Sequence, residues 1–241
     1  MADRPITISV VSHGQNALAN ELLADLGQRC RRQISLVLTQ NASDSVALAV
    51  DQSHCPTELI LNRQPKGFGA NHNAAFQRCR SPFFCVVNPD VRLTTNPFPI
   101  LLDALARPGA GVVGPLVRNP AGNIEDSARR FPTLLSLGKR LFMRPAGPDY
   151  PVDGESIKVD WVAGMFMAFP SHIYRAVGGF DERYFLYYED ADICRRIRKA
   201  GATVLYEPGA AIVHDARRAS RRNPRMALHH IASMIRFLSR A

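Results

Sequence analysis

Residues 6–39 read ITISVVSHGQNALANELLADLGQRCRRQISLVLT, and this stretch predicts the fold class most clearly. An apolar strand at Ile6–Val11 is followed by a helix at Asn16–Arg29, whose leucines recur every fourth position on one face. A second apolar strand follows at Ile34–Thr39. Two buried strands joined by a crossover helix pair in parallel, so this unit indicates an α/β fold with a parallel sheet.

The alternation of strands and helices continues along the chain. Further strands are predicted at Glu58–Asn62, Phe83–Val87, Gly111–Val117, Val159–Phe169, Ala202–Tyr206 and Ala210–Val213, and further helices at Asn71–Cys79, Thr133–Phe142 and Ser171–Val177. Pro115–Arg130 is predicted to be a surface loop, and Arg144–Ser156, rich in Pro and Gly, a flexible segment. We expect an open, mostly parallel sheet with flanking helices that binds its ligand beyond the carboxyl ends of the strands.

The composition is that of a globular protein, with 241 residues of which 46% are apolar. We expect a single domain over residues 1–215 and a basic helical appendage over residues 216–241. No apolar run has the length of a membrane span, and no signal peptide is recognised. Five cysteines without a CxxC pair indicate reduced thiols, so we expect a cytoplasmic protein.

The net charge of +9 indicates an anionic partner, such as nucleic acid, an acidic membrane surface or a phosphorylated substrate. The excess lies in the C-terminal tail, where seven arginines and no acidic residue follow Asp215. Basic and aromatic residues are not interleaved there, and no nucleic-acid motif is present. We therefore expect no nucleic-acid partner.

An acidic helix start lies within residues 180–201, FDERYFLYYEDADICRRIRKAG. Asp190 begins the apolar face of this helix, so we expect it to point inward. Glu189 and Asp192 are predicted to lie off that face, with Asp192 paired to Arg196 one turn later. An inward carboxylate without a cation is a candidate general base. Acidic residues in a first helical turn are equally favoured by capping and the helix dipole alone.

Two further motifs adjoin predicted strands. Asn88-Pro89-Asp90 directly follows the strand FFCVV, where Asp90 could bind a hard divalent cation, but such a tripeptide also forms ordinary turns. KGFGANHN at residues 66–73 places glycines before a helix, which suits close approach of an anionic ligand to the backbone. This motif matches neither the dinucleotide fingerprint nor a P-loop.

The order of these motifs resembles that of family 2 glycosyltransferases with the GT-A fold. SHGQ, QNAS, GFGANHN, NPD, WVAGMFMAF, FDERYFLYYEDADIC and a late histidine follow one another over residues 6–214. The resemblance is to the rhamnosyltransferase-like branch that builds bacterial surface polysaccharides. It implies a Rossmann-like GT-A domain with a C-terminal amphipathic helix.

The resemblance also implies a donor site and a metal site. Asp90 would bind Mg²⁺ or Mn²⁺ with His214, and Asn88 would help to place the donor ribose or sugar. His214 could instead simply cap a buried strand. The donor-binding residues implied in this way are Ser12, His13, Gln40, Asn41, Asn62, Arg63, Gly67, Gly69, Asn71, Asn88 and Asp90.

The resemblance implies that the two adjacent acidic residues are catalytic. Asp190 matches the family's catalytic base, and Glu189 is its acidic neighbour. Trp161 and Gly164 lie in the segment that lines the acceptor or donor-sugar pocket, although a core role for Trp161 is equally open.

Two departures from the family pattern concern the nucleotide. Ser12-His13-Gly14-Gln15 replaces a TYN-like turn, and Gln40 replaces an aspartate that contacts the base. A glutamine can donate and accept hydrogen bonds at a pyrimidine edge, so base binding is retained while the identity of the base stays open.

The function implied is metal-dependent, inverting transfer of a sugar from a nucleotide-diphosphate donor to a hydroxyl of a glycan or polyprenyl-linked saccharide. L-Rhamnose is the donor sugar that the branch favours. Two alternatives stay open. One is a degenerate GT-A protein that binds the nucleotide sugar without turnover, favoured by Gln40 and Asn88. The other is a nucleotidyltransferase, disfavoured by FLYYEDADIC. The oligomeric state is left open.

The last predicted helix begins at Asn223-Pro224 and runs to about Arg240. One face carries Leu228, Ile231, Ile235 and Leu238. Either this face packs on the domain's own core, or residues 223–241 lie on the inner face of the cytoplasmic membrane near a polyprenyl-linked acceptor. Arg217 and Arg218 could instead contact a phosphate of the donor or the acceptor.

Overall fold

The computed structural model describes residues 5–30, 33–50, 55–133, 148–214 and 224–240. The strands within these ranges are β1 (Ile6–His13), β2 (Ile34–Ala42), β3 (Thr57–Leu61), β4 (Phe83–Val87), β5 (Val91–Arg92), β6 (Ala110–Arg118), β7 (Ile124–Glu125), β8 (Ala128–Arg129), β9 (Ile157–Lys158), β10 (Trp161–Val162), β11 (Phe166–Pro170) and β12 (Thr203–His214). The helices are α1 (Asn16–Arg29), α2 (Phe68–Phe76), α3 (Phe98–Leu105), α4 (Ser171–Ala176), α5 (Glu189–Lys199) and α6 (Pro224–Leu238).

The central sheet has the strand order β3-β2-β1-β4-β11-β6-β12-β5. The long ladders of β1 with β2 and β4, of β2 with β3, and of β6 with β12 are parallel. Strand β11 runs antiparallel between β4 and β6, and β5 is antiparallel to β12 at the edge. This confirms an α/β fold with a mostly parallel, mixed sheet. Its parallel order brings the carboxyl ends of β1, β2 and β4 to one edge.

Helices cover both faces of this sheet, and each face has its own hydrophobic cluster. Alternation along β4 shows the two layers, since Cys85 and Val87 belong to one cluster and Phe84 and Val86 to the other. The first cluster takes side chains from α1 and α3, and the second takes them from α5 and α6. Burial on both faces explains the nearly continuous apolar runs of the parallel strands.

Residues 115–130 are not the surface loop that the sequence predicted. Strand β6 continues to Arg118 because Leu116 and Val117 are buried, and the short strands β7 and β8 follow. Strand β7 returns against β6, and β8 pairs with β10 in a separate two-stranded sheet. The correction matters because β8 lies beside the candidate active site described below.

Three other boundaries also differ. The predicted strand Val159–Phe169 is divided into β10 and β11 by a turn, whereas the two strands predicted at 202–213 form one strand with a register shift between Glu207 and Ala211. Helix α3 was missed, and it begins where Asn96 Oδ1 accepts the backbone N–H of Phe98 at 3.0 Å. Residues 134–142 of the predicted helix Thr133–Phe142 and residues 144–147 of the predicted segment Arg144–Ser156 lie outside the described residues.

Helix α6 packs on the domain with a face other than the predicted one. Phe237 is buried in the second cluster, and Ser233 is buried beside it. Leu228, Ile231 and Ile235 are exposed at 68%, 49% and 59%. The alternative in which these three side chains pack on the protein's own core is therefore wrong. The predicted domain boundary at 215/216 falls in the undescribed residues 215–223 and stays a prediction.

Candidate active site

A cavity of about 250 Å³ opens beyond the carboxyl ends of β1, β2 and β4. We call it the donor-side cavity. The residues that line it include five of those predicted for the donor, His13, Asn41, Asn71, Asn88 and Asp90. The predicted donor residues that do not line it are Ser12, Gln40, Asn62, Arg63, Gly67 and Gly69. Of these, Ser12 is buried and donates to Asn16 Oδ1, so it holds the start of α1.

Three asparagines under this cavity bind one another and the loop before α2. Asn62 Nδ2 donates to Asn41 Oδ1 at 2.8 Å and to Asn71 Oδ1 at 2.6 Å. Asn41 Nδ2 donates to the carbonyl of Lys66 at 2.9 Å and to His13 Nδ1 at 3.1 Å. Asn71 Nδ2 donates to the carbonyls of Lys66 and Gly67. These hydrogen bonds fix the loop before α2. We call the three residues that form them the amide network: Asn41, Asn62 and Asn71.

The two glycines predicted for close ligand approach instead make room for the chain itself. A Cβ at Gly67 would lie 2.7 Å from the carbonyl oxygen of Phe185, and one at Gly69 would lie 2.7 Å from Phe180 Cβ. The backbone N–H of Phe68 donates to the same Phe185 oxygen at 2.9 Å. The GFGANHN motif thus lets α2 pack against the segment before α5.

Buried His72 sits at the floor of the donor-side cavity. Its Nδ1 lies 2.8 Å from Ser9 Oγ, and its ring meets that of Phe68 edge-on at 4.4 Å. Burial lowers the pKa of His72 to about 3. The imidazole is therefore neutral at physiological pH and acts as a packed polar group.

The structure brings Asp90 and His214 together at the edge of this cavity. His214 Nε2 lies 3.4 Å from Asp90 Oδ1, and His214 Nδ1 lies 3.3 Å from Glu125 Oε2. The pairing of His214 with Val91 across β12 and β5 explains the proximity. Burial alone would lower the pKa of His214, but the neighbouring carboxylates of Asp90 and Glu125 outweigh it and raise the pKa. Glu125 was missed because β7 was read as a loop.

The donor set at this point fits a divalent cation in part. Asp90 Oδ1 is buried and accepts no hydrogen bond from the described residues. A carboxylate oxygen and an imidazole nitrogen suit Mg²⁺ or Mn²⁺, and a donor diphosphate supplies further oxygens. The described residues contain no group of three or more His, Cys, Asp or Glu side chains arranged to hold a metal. The protein would therefore share such an ion with its ligand.

The turn before α5 has an unusual backbone. Tyr187 and Tyr188 have φ angles of 70° and 66°, in the left-handed region that non-glycine residues seldom occupy. This turn directs the first residues of α5, Glu189 and Asp190, towards a second cavity. Strain of this kind persists only where the surroundings hold it, and it concentrates at functional sites.

The two acidic residues differ from the prediction in their burial. Glu189 is only 5% exposed, and its Oε2 has no hydrogen-bond partner among the described residues, whereas Asp190 is half-buried. Asp192 is also buried, so the predicted placement of Glu189 and Asp192 off the buried face is wrong. Ile193 and Ile197 on the predicted face are buried as well, so α5 is buried over more of its surface than the sequence predicted. The predicted ion pair of Asp192 with Arg196 is confirmed at 2.7 Å, and Arg195 joins it at 3.2 Å.

Asp190 is held by backbone donors. Its Oδ2 accepts the N–H of Gly164 at 2.9 Å, and its Oδ1 accepts the N–H of Ala191 at 2.8 Å. Burial raises the pKa of Asp190, and these hydrogen bonds and the charge of Arg129 partly offset the rise. Burial and the neighbouring charge of Asp190 raise the pKa of Glu189 well above its usual range. Asp190 is therefore the group of the pair that ionises more readily.

The second cavity, about 330 Å³, lies on the other side of the segment 185–190, and we call it the acceptor-side cavity. Its lining residues are Arg129, Arg130, Pro132, Trp161, Tyr187, Tyr188, Glu189, Asp190 and His230. Trp161 lines it and also belongs to the second hydrophobic cluster, which confirms the core role, while its contact with a sugar stays a prediction. Gly164 lies behind Asp190, where a Cβ would come within 3.5 Å of Oδ2.

Helix α6 contributes to both cavities, which the sequence did not indicate. Met226 lines the donor-side cavity and His230 the acceptor-side cavity. Ser233 Oγ donates to the carbonyl of Leu186 at 2.9 Å, and the ring of His229 stacks on Phe185 at 4.8 Å. The helix therefore braces the segment that divides the two cavities.

Comparison with protein families and solved structures agrees with this architecture. The model of "Glycosyltransferase like family 2" matches residues 4–229. The N-acetylglucosaminyl-diphospho-decaprenol L-rhamnosyltransferase of Mycobacterium tuberculosis is 29% identical over 254 residues, which cover 95% of this chain and 83% of that protein. The rhamnosyltransferase WbbL of Escherichia coli is 26% identical, over 98% of this chain and 93% of the relative.

Solved glycosyltransferases share the fold. GalNAc-T7, solved with UDP, GalNAc and Mn²⁺, superposes with a TM-score of 0.67 at 14% identity, over 88% of this chain and 43% of that one. The mannosyltransferase PcManGT of Pyrobaculum calidifontis, solved with GDP-Man and Mn²⁺, gives 0.63 at 16% identity, over 97% and 65%. The chain thus spans less than two thirds of either solved chain. These likenesses confirm the GT-A fold.

Proposed function

This chain belongs to glycosyltransferase-like family 2 and is a glycosyltransferase of the rhamnosyltransferase-like type, and we propose that it transfers a sugar with inversion from a nucleotide-diphosphate donor to a saccharide hydroxyl. The observation that carries this proposal is that Asp190 lines the acceptor-side cavity, four residues after Leu186, which lines the donor-side cavity. One cavity has the size and polar lining for part of a nucleotide sugar, and the other opens onto the carboxylate. L-Rhamnose is the first donor sugar to test, given the names of the relatives.

In the proposed reaction Asp190 acts as the general base. Its carboxylate takes the proton from the acceptor hydroxyl while that oxygen bonds to the anomeric carbon and the bond from this carbon to the diphosphate breaks. General-base assistance contributes roughly 100- to 10,000-fold in rate. Gly164 and Ala191 orient the carboxylate through their N–H groups. Burial and the charge of Asp190 raise the pKa of Glu189, so Glu189 ionises less readily than the base beside it.

On the donor side, Asp90 and His214 would hold Mg²⁺ or Mn²⁺. The cation would neutralise the charge that develops on the leaving nucleoside diphosphate. The buried Asp90 Oδ1, which lacks a donor among the described residues, supports this assignment. His13, Asn88 and the loop fixed by the amide network would contact the nucleotide or its sugar.

The acceptor is proposed to be a lipid-linked saccharide. One relative is named for a decaprenyl diphosphate that carries N-acetylglucosamine. The outer face of α6, formed by Leu228, Ile231 and Ile235, would lie on an anionic membrane surface, where the arginine-rich tail adds attraction. Among the described helices, none is long and apolar enough to cross a bilayer. The proposed location is therefore the inner face of the cytoplasmic membrane.

Transfer to a synthetic acceptor tests the reaction. The protein would be incubated with dTDP-L-rhamnose and other nucleotide sugars, Mn²⁺ or Mg²⁺, and octyl N-acetylglucosaminyl diphosphate, and the new bond would be examined by NMR. We expect an inverted anomeric centre, loss of transfer in EDTA and recovery with Mn²⁺ in the wild type but not in Asp90→Ala. Retention of configuration, or full activity in EDTA, would contradict the proposal. Donor binding without turnover would support the degenerate alternative.

Vesicle co-sedimentation tests the membrane contact. Removing residues 223–241 would also remove the brace on the active site, so point substitutions are preferable. Leu228→Ser with Ile235→Ser should weaken binding to vesicles that contain phosphatidylglycerol. Leu61→Ser is the matched control, because Leu61 is 66% exposed on β3. Equal binding by all three proteins would exclude the α6 face as the contact.

A further inference from the structure

The acceptor-side cavity contains two arginines that the transfer reaction by itself does not require. Arg129 and Arg130 line it together with the carboxyl groups of Glu189 and Asp190. No ion pair joins either arginine to Glu189 or Asp190 within the described residues, and the ion pair of Arg129 is with Asp126 at 2.9 Å. The charge of Arg129 influences Asp190, but in the part of the chain that the structure describes neither guanidinium group forms an ion pair with the catalytic residues.

Both guanidinium groups are seated on aromatic rings. Arg129 Cζ lies 5.1 Å from the ring centroid of Trp161, and Arg130 Cζ lies 5.1 Å from that of Tyr150. The Trp161 Nε1–H donates to the carbonyl of Arg130 at 3.1 Å, which ties the arginine backbone to the same wall. A guanidinium held over a ring loses little conformational freedom on binding and presents a planar fork that matches phosphate oxygens.

The rest of the wall suits a sugar. Tyr187 and Tyr188 offer aromatic surface, and His230 adds an imidazole from α6. At about 330 Å³ the cavity is at the small end of ligand sites, so it holds one sugar with a directly attached charged group more readily than an oligosaccharide. The reacting hydroxyl and the anion would then belong to the same residue of the acceptor.

We infer that Arg129 and Arg130 are the residues that bind the phosphate or diphosphate carried by the reacting sugar of the acceptor, while Asp190 faces the sugar hydroxyl. The inference rests on the proposed glycosyl transfer and assigns the residues that select its acceptor. Recognition of the phosphate places the lipid chain, where one is present, outside the cavity. The two arginines are specificity-determining residues, and they also offset the repulsion between the acceptor's anion and the catalytic carboxylates.

Recognition of the phosphate can be distinguished from recognition of the lipid with three acceptors that have the same sugar and the same alkyl chain. These are octyl N-acetylglucosaminide, its octyl phosphate analogue and its octyl diphosphate analogue. In the wild type we expect kcat/KM to rise from the glycoside to the phosphate and again to the diphosphate. In Arg129→Ala with Arg130→Ala, the preference for the diphosphate over the glycoside should fall at least ~30-fold, mainly through KM, since hydrogen bonds to charged groups are lost.

The preference is a better readout than the absolute rate. Arg129 lowers the pKa of Asp190, so its loss changes the base for every acceptor, and this change cancels in the ratio. Arg129→Lys with Arg130→Lys keeps the charge without the fork and should retain part of the preference. This pair also provides a result if the alanine variant unfolds. Arg78→Ala with Arg80→Ala removes two exposed charges before β4, at the opposite edge of the sheet, and should leave the preference unchanged.

The outcomes distinguish this inference from the proposed function. Equal kcat/KM on the three acceptors in the wild type would overturn the phosphate site and leave glycosyl transfer standing. An unchanged preference in both arginine variants would remove Arg129 and Arg130 from recognition. Absence of transfer to all three acceptors and of donor hydrolysis would overturn the proposed function, and the inference with it.

Discussion

The two cavities beside the segment 185–190 differ in how their polar groups are satisfied. Beneath the donor-side cavity, Asn41, Asn62 and Asn71 bind one another and the backbone of Lys66 and Gly67. At the acceptor-side cavity, Glu189 Oε2 is buried without a partner among the described residues, and the two preceding tyrosines have left-handed backbones. The first arrangement fixes the shape of a loop, while the second holds reactive groups in place.

The two arrangements also differ in their free-energy cost. A buried polar group without a partner costs about 1–3 kcal/mol, and a left-handed non-glycine residue costs a similar amount. Neighbouring structure must offset both terms for the turn at Tyr187–Asp190 to persist. Helix α6 contributes through Ser233 and through Phe237, whose ring packs on that of Tyr188 at 5.6 Å. The polar residues at the donor-side cavity therefore stabilise the fold. Those at the acceptor-side cavity are instead held in place by the structure around them.

The largest effect is expected at the carboxylate pair. Asp190→Asn should lower kcat by roughly 100- to 10,000-fold because the general base is lost, while the unfolding midpoint changes little. Glu189→Gln should keep activity within about tenfold, because burial disfavours the charged form of this carboxyl group and an amide mimics the neutral form closely. Steady-state transfer and thermal unfolding of both variants check this. Equal losses in the two variants would mean that Glu189, too, acts as a charged group.

A substitution in the amide network should lower the stability of the folded protein. Asn71→Ala removes the acceptor of Asn62 Nδ2 and the donor to two carbonyls, and it should lower the free energy of unfolding by about 2–3 kcal/mol, since the partners stay buried and unpaired. Urea denaturation measures the loss. Asn20→Ala is a suitable control, because Asn20 also bonds to backbone groups but lies at the surface on α1. A loss at Asn71 no larger than at Asn20 would contradict the supporting role of the network.

The sequence predicted the donor-side framework better than the site itself. Helix α1 and strand β4 have the predicted bounds, because continuous apolar runs and a leucine-lined face depend only on local pattern. Strands β7 and β8 have two residues each and carry charged side chains, so no periodicity could reveal them or bring Glu125 and Arg129 to the site.

Side-chain orientation was harder to predict than the position of each element. The family resemblance grouped Asn41, Asn62 and Asn71 as donor-binding residues but could not show that they bind each other. The apolar face of α6 was identified from periodicity, but a pattern does not specify what covers a face. Likewise, the left-handed turn at Tyr187 has no glycine to signal it, so the sequence did not predict this turn.

Buried His72 gives the donor side a pH-dependent stability. Its pKa in the folded protein is about 3, below the ordinary value near 6.5, so at neutral pH both the folded and unfolded chains are uncharged at this group. As the pH falls below about 6.5, only the unfolded chain gains the proton, and stability should fall by about 2 kcal/mol by pH 5. Urea unfolding of wild type and His72→Gln at pH 7.5 and pH 5.0 isolates this contribution. An identical pH dependence in both proteins would contradict it.

The smallest effect is expected at the brace between α6 and the dividing segment. Ser233→Ala removes the hydrogen bond to the carbonyl of Leu186 and should lower the free energy of unfolding by about 1 kcal/mol. Because Leu186 lines the donor-side cavity and directly precedes the left-handed tyrosines, transfer should also fall by a few fold. Ser239→Ala is the matched control, since its exposed hydroxyl donates within its own helical turn to Arg236. If Ser233→Ala and Ser239→Ala have equal rates and stabilities, the strained turn must be held by the aromatic contacts of α6 rather than by this hydrogen bond, and Phe237→Ala would then be the substitution that releases it.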